Sequence, residues 1–213
     1  MVKSEVFDKN ALEYDMWFDH HKREYAQELK AIREFLPKGG KGVEIGAGTG
    51  RFAQALGISL GIEPSKAMRS IASGRGVNII AGTAESLPIK DGVYDFALLV
   101  TTVCFLDAPE LAFREVYRIL KAGGAIIVGL IDKNSITGKK YQGNKDESRF
   151  YKDARFYSPG EVRKELEKAG FTDFDYRQAI LPGDTDEDLE PEVKQGHGEG
   201  SFVVLRAQKH VDE

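Results

Sequence analysis

The sequence predicts an α/β fold, a largely parallel sheet with helices on both faces. Short apolar runs alternate with helix-patterned segments between residues 41 and 131, and such alternation implies crossover connections between parallel strands. The run "YDFALLVTT" (94–102) is almost continuously apolar, as a strand covered on both faces should be. The ending breaks the alternation. After "SPGEVRKELEKAG" (158–170), the runs "FTDFDYRQAIL" and "SFVVLRAQK" (201–209) have no helix of useful length between them, so they are expected to pair antiparallel at one edge.

Each element has its own signal. Tyr25, Leu29, Ile32 and Leu36 recur at helical spacing over 22–36, and "PKGG" at 37–40 ends that run. "KGVEI" (41–45) reads as the first strand, and "TGRFAQAL" as a helix with Phe52, Ala55 and Leu56 on one face. "GISLGIE" reads as the second strand and "PSKAMRSIAS" as a helix with proline in its first turn, where a missing N–H is harmless. "GVNIIAG" is a third strand, residues 94–102 a fourth, "PELAFREVYRIL" (109–120) a helix and "GAIIVGLI" (124–131) a fifth strand. Residues 1–40 read as a helical N-terminal cap on a single core, residues 41–213, with no linker marking a second domain.

A chain of 213 residues with 41% hydrophobic and 30% charged residues suits one large globular domain. Its formal net charge of −4 argues against a general affinity for nucleic acid or anionic membrane. Cys104 is the single cysteine, which excludes an internal disulfide and any multi-cysteine metal site; no metal is expected. The opening "MVKSEVFDKNALEYD" lacks an apolar core of signal-peptide length, and "FALLVTTVCFL" and "AIIVGLI" are too short to span a bilayer. A cytoplasmic protein is the expectation.

The stretch "VEIGAGTGRFAQAL" (43–56) places Gly46, Gly48 and Gly50 between a strand and a helix. A dinucleotide fingerprint needs G-x-G-x-x-G, and Arg51 stands where its third glycine would fall. A P-loop needs Lys-Ser or Lys-Thr after its glycines, and none follows here. What remains is a turn whose backbone passes close to a ligand, preceded by Glu44, which suits a nucleoside carrying a charged amino-acid tail in place of phosphates. "GIEP" puts Glu63 at the carboxyl end of the second strand, where a carboxylate can accept from both ribose hydroxyls. Glu63 could equally cap the helix after it.

"VEIGAGTG", "GIEPSKAM", "AGTAESLPIKDGVYDFALLV" and "REVYRILKAGGAIIVG" stand in the order and spacing of the class I S-adenosylmethionine-dependent methyltransferases, and the chain resembles their small-molecule, ubiquinone/menaquinone-type branch. The resemblance covers about residues 41–131. It implies a three-layer Rossmann-like fold with a mostly parallel seven-stranded sheet, an antiparallel C-terminal strand pair and helices on both faces. It implies S-adenosyl-L-methionine as methyl donor, S-adenosyl-L-homocysteine as product and a small-molecule acceptor. Glu44, Gly46 and Gly48 would line the methionine end, Glu63 the ribose, Thr83, Ala84 and Glu85 the adenine edge, and Thr101 the sulfonium, with Tyr14 in the methyl-donor pocket.

Two departures from the family stand out. Many relatives carry histidines after the fourth strand, where this chain has Cys104 and Phe105, so no general base is evident. Thr83 stands where relatives often have Asp. His20 and His21 in the cap, Phe105, and Tyr157 in the aromatic-rich segment 140–158 are the candidate substrate contacts; the segments 7–25 and 140–158 are expected to close over the site as a lid. The acid-rich run 184–193 could attract a cationic amine or simply be solvated. His197 has no assigned role. A nicotinamide-dependent oxidoreductase, or a protein that binds the cofactor without turnover, are the competing readings; the acceptor atom and the oligomeric state stay open.

Overall fold

The computed structural model describes residues 4–181 and 192–210. Its centre is one eight-stranded sheet of order β3-β2-β1-β4-β5-β8-β6-β7. The strands are β1 (Gly42–Ile45), β2 (Leu60–Ile62), β3 (Asn78–Ile80), β4 (Tyr94–Val100), β5 (Leu120–Ile131), β6 (Phe171–Ile180), β7 (Glu192–Gln195) and β8 (Phe202–Lys209). Strands β1 to β5 run parallel. β8 inserts antiparallel between β5 and β6, and β7 adds a short antiparallel strand outside β6. The terminal pair is therefore in place, and β7 brings the strand number to eight.

The helices are α1 (Ser4–His20), α2 (Lys22–Arg33), α3 (Arg51–Leu56), α4 (Lys66–Gly74), α5 (Pro109–Ile119), α6 (Ile136–Gly143) and α7 (Pro159–Lys168). They cover both sheet faces because each strand sends alternate side chains to opposite sides. On β4, Ala97 and Leu99 enter the apolar cluster under α5 and α7. Its neighbours Phe96, Leu98 and Val100 enter the cluster containing Leu29, Ile32 and Phe35 from the α2 region and Phe52 of α3. A strand buried from both sides has no polar face to show, which is why its sequence is a continuous apolar run.

Local chemistry fixes the helix starts. Ser65 caps α4 by accepting from Met68 N at 3.2 Å, so Pro64 lies just outside the helix and not in its first turn. Pro109 does open α5, and Ser158 and Glu161 form a reciprocal capping box on α7. In α1 the non-helical backbone of Asn10 marks a kink, with its side-chain amide donating to Val6 O at 2.8 Å.

α1 is fastened at both ends to loops at the carboxyl edge of the sheet. Asp8 accepts from Ser65 Oγ at 2.7 Å and Ala67 N at 3.1 Å. Asp15 accepts from Thr49 Oγ1 at 2.6 Å, from Arg51 Nε and Nη2 at 3.0 and 2.8 Å, and from Arg75 Nη2 at 2.6 Å. Arg51 thus occupies the third-glycine position in order to hold α1. Burial pushes the Asp15 carboxyl up, but the hydrogen bonds from Arg51, Arg75 and Thr49 outweigh it and bring the pKa to about 2.

Candidate active site

Strand order reverses between β1 and β4, and in open parallel sheets ligands bind outside the carboxyl ends of strands at such a switch point. A cavity of about 260 Å³ lies there. Tyr14, Gly46, Gly48, Glu63, Thr83, Ala84, Glu85 and Thr101 all line it, and Phe105 joins them. Glu44 sits beside it, in a narrow crevice that shares Tyr14, Gly46, Gly48 and Thr101. The structure therefore gathers at one place residues drawn from four strand ends and the cap.

The glycine turn is shaped for close approach. Gly46, Gly48 and Gly50 have φ of 71°, 53° and 77°, a region that L side chains avoid. Gly46 N and Ala47 N donate to Ile62 O at 2.8 and 3.0 Å, tying the turn to β2. A Cβ on Gly46 would strike the Thr102 side chain at 2.5 Å, whereas one on Gly48 would meet only Tyr14 at 3.8 Å and point into open space. The first glycine is needed by the fold; the second keeps the cavity floor bare.

Two buried acids flank this turn. Glu63 is 7% exposed and accepts from Gly48 N at 3.0 Å and Ser65 N at 2.8 Å. Glu63 thus braces the entry to α4 and also lines the cavity. A carboxylate has about four acceptor sites, so two remain for a ligand. Burial raises its pKa, against the backbone donors of Ser65 and Gly48. Glu44 is 1% exposed, and its Oε2 has no hydrogen-bond partner among the described residues. Burial pushes its pKa up to about 8, partly countered by Ala53 N–H. An orphaned buried carboxylate oxygen of this kind fits a cationic ligand group.

Thr101 ends β4 with φ of 49°, an outlier for a β-branched residue. Such strain costs on the order of 1–3 kcal/mol and gathers at functional sites. Its N–H donates to Gly129 O at 2.8 Å, and its carbonyl accepts from Cys104 Sγ at 3.2 Å. Glu85 accepts from Asp107 N at 3.0 Å, clipping the loop after β3 to the loop after β4. Phe7, Met68 and Leu106 also line the cavity. Sequence reasoning did not single them out, because apolar residues at helical spacing look like ordinary core.

A second cavity of about 470 Å³ adjoins the first and shares Tyr14 and Thr101 with it. His20 and His21 line this second space. His21 stacks on Trp17 at 4.4 Å, and its Nδ1 lies 2.9 Å from Trp17 O. Phe105 instead faces the first cavity, packed edge-on to Phe7 at 5.0 Å and stacked on Tyr151 at 5.9 Å. Tyr157 lines neither: it is 6% exposed, beside a small void of about 20 Å³ under Tyr151 and Phe156. It packs in the apolar cluster that also holds Val162 and Leu166 of α7. His197 is remote, against Tyr176 at 4.9 Å. Residues 184–191 of the acid-rich run lie outside the described residues.

The cap and the segment after β5 meet across the cavities. Phe150 stacks on Phe7 at 5.8 Å and touches Tyr14 at 5.6 Å, while Arg149 bonds Asn10 at 3.3 Å and pairs with Glu13. The first residues of this segment belong to the helix α6. Among the described residues, no group of three or more His, Cys, Asp or Glu side chains is placed to hold a metal ion, and no helix is long and apolar enough to cross a membrane.

Sheet order, glycine turn and the acid after β2 together define an α/β enzyme of the nucleoside-binding, Rossmann-like kind. Comparison with known proteins carries this further. Residues 43–128 match a methyltransferase-domain family. The chain is 48% identical to a Thermotoga maritima protein, whose crystal structure is described as a SAM-dependent methyltransferase and possible histamine N-methyltransferase, with a TM-score of 0.93 over 98% of this chain and 100% of that one. It is 45% identical over 204 residues to an uncharacterized protein of Methanocaldococcus jannaschii, covering 96% of this chain and 98% of the relative. A Mycobacterium tuberculosis relative is 31% identical over 179 residues, of which this chain spans 61% of the length. The chain belongs to the class I S-adenosylmethionine-dependent methyltransferases. Its cofactor is S-adenosylmethionine.

Proposed function

We propose that the first cavity holds S-adenosylmethionine through the residues named above, and that the enzyme methylates a small molecule bound in the second, in the cytoplasm. The observation that carries this reading is the shared wall: Tyr14 and Thr101 line both spaces. When bound, the cofactor supplies a methyl group already activated on a sulfonium. The Glu44 carboxylate faces the ammonium of the methionine tail, Glu63 accepts from the ribose hydroxyls, and the 83–85 loop borders the adenine. Residues 1–40 act as the cap and 41–213 as the core. Closure of α1 and the 140–158 segment keeps water out and aligns the acceptor, a contribution of about 7–11 kcal/mol when alignment is good.

Two measurements test it. Calorimetry is expected to show binding of S-adenosylmethionine and S-adenosylhomocysteine but not NAD. Glu63→Ala is expected to weaken that binding by roughly 1.5–3 kcal/mol, the range for hydrogen bonds to a charged group. Unchanged affinity in a folded variant would remove the ribose role. Hydrogen exchange is expected to show added protection in both 7–25 and 140–158 once S-adenosylhomocysteine is bound. No change in either segment would remove the lid.

A further inference from the structure

The second cavity contains a group that the methyl-transfer reading leaves unused. Glu28 of α2 is 4% exposed and lines the cavity wall. Its carboxylate has no hydrogen-bond or ion-pair partner among the described residues. A carboxyl group buried without a partner is costly, and such groups are retained where something supplies the missing partner. Burial, with Glu24 one turn earlier on the same helix, pushes its pKa up to about 8.

The surroundings specify what that partner is. Rings of Tyr14 and Trp17 from α1, and of Tyr141, Phe150 and Tyr151 from the segment after β5, form the other walls. Tyr141 and Tyr151 stack at 5.0 Å, and Phe150 abuts Tyr14 at 5.6 Å. A carboxyl group that shares a cavity with several aromatic rings, once ionised, attracts a cation twice, by charge and by the ring quadrupoles. Glu24 adds negative charge to the same lining, against Lys140, while Glu13 is paired with Arg149. A neutral hydroxyl could donate to Glu28 but would bring no charge to it, and a carboxylate would be repelled.

We propose that the methyl acceptor is a small amine, bound as its ammonium ion between Glu28 and the aromatic walls of the second cavity. Before transfer the ammonium gives one proton to the Glu28 carboxylate, which frees the nitrogen lone pair; that pair would form the new N–C bond as the sulfur–methyl bond broke, the sulfur keeping that bond's electrons. The inference rests on the methyl-transfer reading for the word acceptor, and on the cavity alone for the amine. The cavity shares Tyr14 and Thr101 with the cofactor cavity, so an amine anchored at Glu28 lies on the side from which the methyl group is approached. Glu28 is a specificity residue that the sequence conceals, since it falls on the apolar stripe of α2, three residues after Tyr25 and four before Ile32.

The test is calorimetry of ethylamine, n-butylamine and 2-phenylethylamine, each beside its matching alcohol, with and without saturating S-adenosylhomocysteine. The best-bound amine is expected to exceed its alcohol by about 10- to 100-fold, the range for a charge-assisted hydrogen bond. In Glu28→Gln that preference is expected to fall to within about 3-fold, with alcohol and S-adenosylhomocysteine affinities unchanged. Equal binding of amine and alcohol in all three pairs overturns the inference, as does a preference that survives Glu28→Gln. The wild-type preference decides the matter if the variant does not fold. Failure of S-adenosylhomocysteine to bind overturns the methyl-transfer reading instead, and the amine measurements without it still report on the cavity.

Discussion

Asp15→Ala is expected to destabilise the fold by about 3–5 kcal/mol, the range for breaking a buried ion pair by removing one partner. Asp15 sits between two guanidinium groups, and the side chains of Asp15, Arg51 and Arg75 are 13%, 17% and 19% exposed. Removing the carboxylate leaves both cations short of their main partner. Arg51 retains Asp19 at 2.8 Å and Arg75 retains Thr49 O at 2.7 Å, so the lower end of that range is expected. Urea unfolding measures the change, and a loss below about 1 kcal/mol would show that the network is no stronger than an exposed pair. Because the Asp15 bonds join α1 to the glycine turn, amide exchange in α1 is expected to accelerate more than in β4.

The same group sets an acid limit. The folded pKa of Asp15, about 2, is depressed below its ordinary value of 3.8. A depressed acid stabilises the fold above its unfolded pKa and loses that contribution as pH falls toward the folded one. Wild type is therefore expected to lose the contribution between about pH 4 and about 2, and Asp15→Ala is expected to show a flatter stability profile across that window. Equal slopes in the two proteins would show that Asp15 does not titrate as described.

Gly48→Val is expected to abolish S-adenosylhomocysteine binding, a loss of at least about 100-fold, while leaving a folded protein. With φ of 53° the position resists any side chain, at about 1–2 kcal/mol for the left-handed region. Beyond that penalty nothing in the protein obstructs the first added carbon, whose nearest neighbour is Tyr14 at 3.8 Å. The valine therefore fills ligand space. Gly46→Val differs in kind, since its Cβ would lie 2.5 Å from the Thr102 side chain. That variant is expected to melt well below wild type before any ligand is added. If Gly48→Val binds normally, the turn is a structural bend and the cofactor assignment fails with it. Should Gly46→Val melt like wild type, Thr102 has moved aside and the steric account is wrong.

Where the sequence was legible, the information was local. Helical spacing marked α2, continuous apolar character marked β4, and three glycines fixed a turn that few other residues could adopt. The position of β8 between β5 and β6 was not readable, because strand neighbours depend on which edge is free after β5, not on the pattern within either run. The aromatic segment 140–158 is limited for a related reason: aromatic density locates a segment near the cavities without saying which rings line them, and Tyr151 does while Tyr157 does not.

The sequence by itself pointed to the class of this protein and to about half of the residues that line the first cavity, since the glycines of the turn and the strand ends at Glu63 and Thr101 follow from short stretches of chain. Only the tertiary structure decided the rest. Arg51 and Arg75 reach Asp15 across 36 and 60 residues of chain, and Arg149 reaches Glu13 across 136. Glu28 became a cavity acid without a partner among the described residues only when α1, α2 and the segment after β5 enclosed it. A carboxylate's solvation and partners are properties of its surroundings, and distant parts of the chain supply those surroundings only on folding.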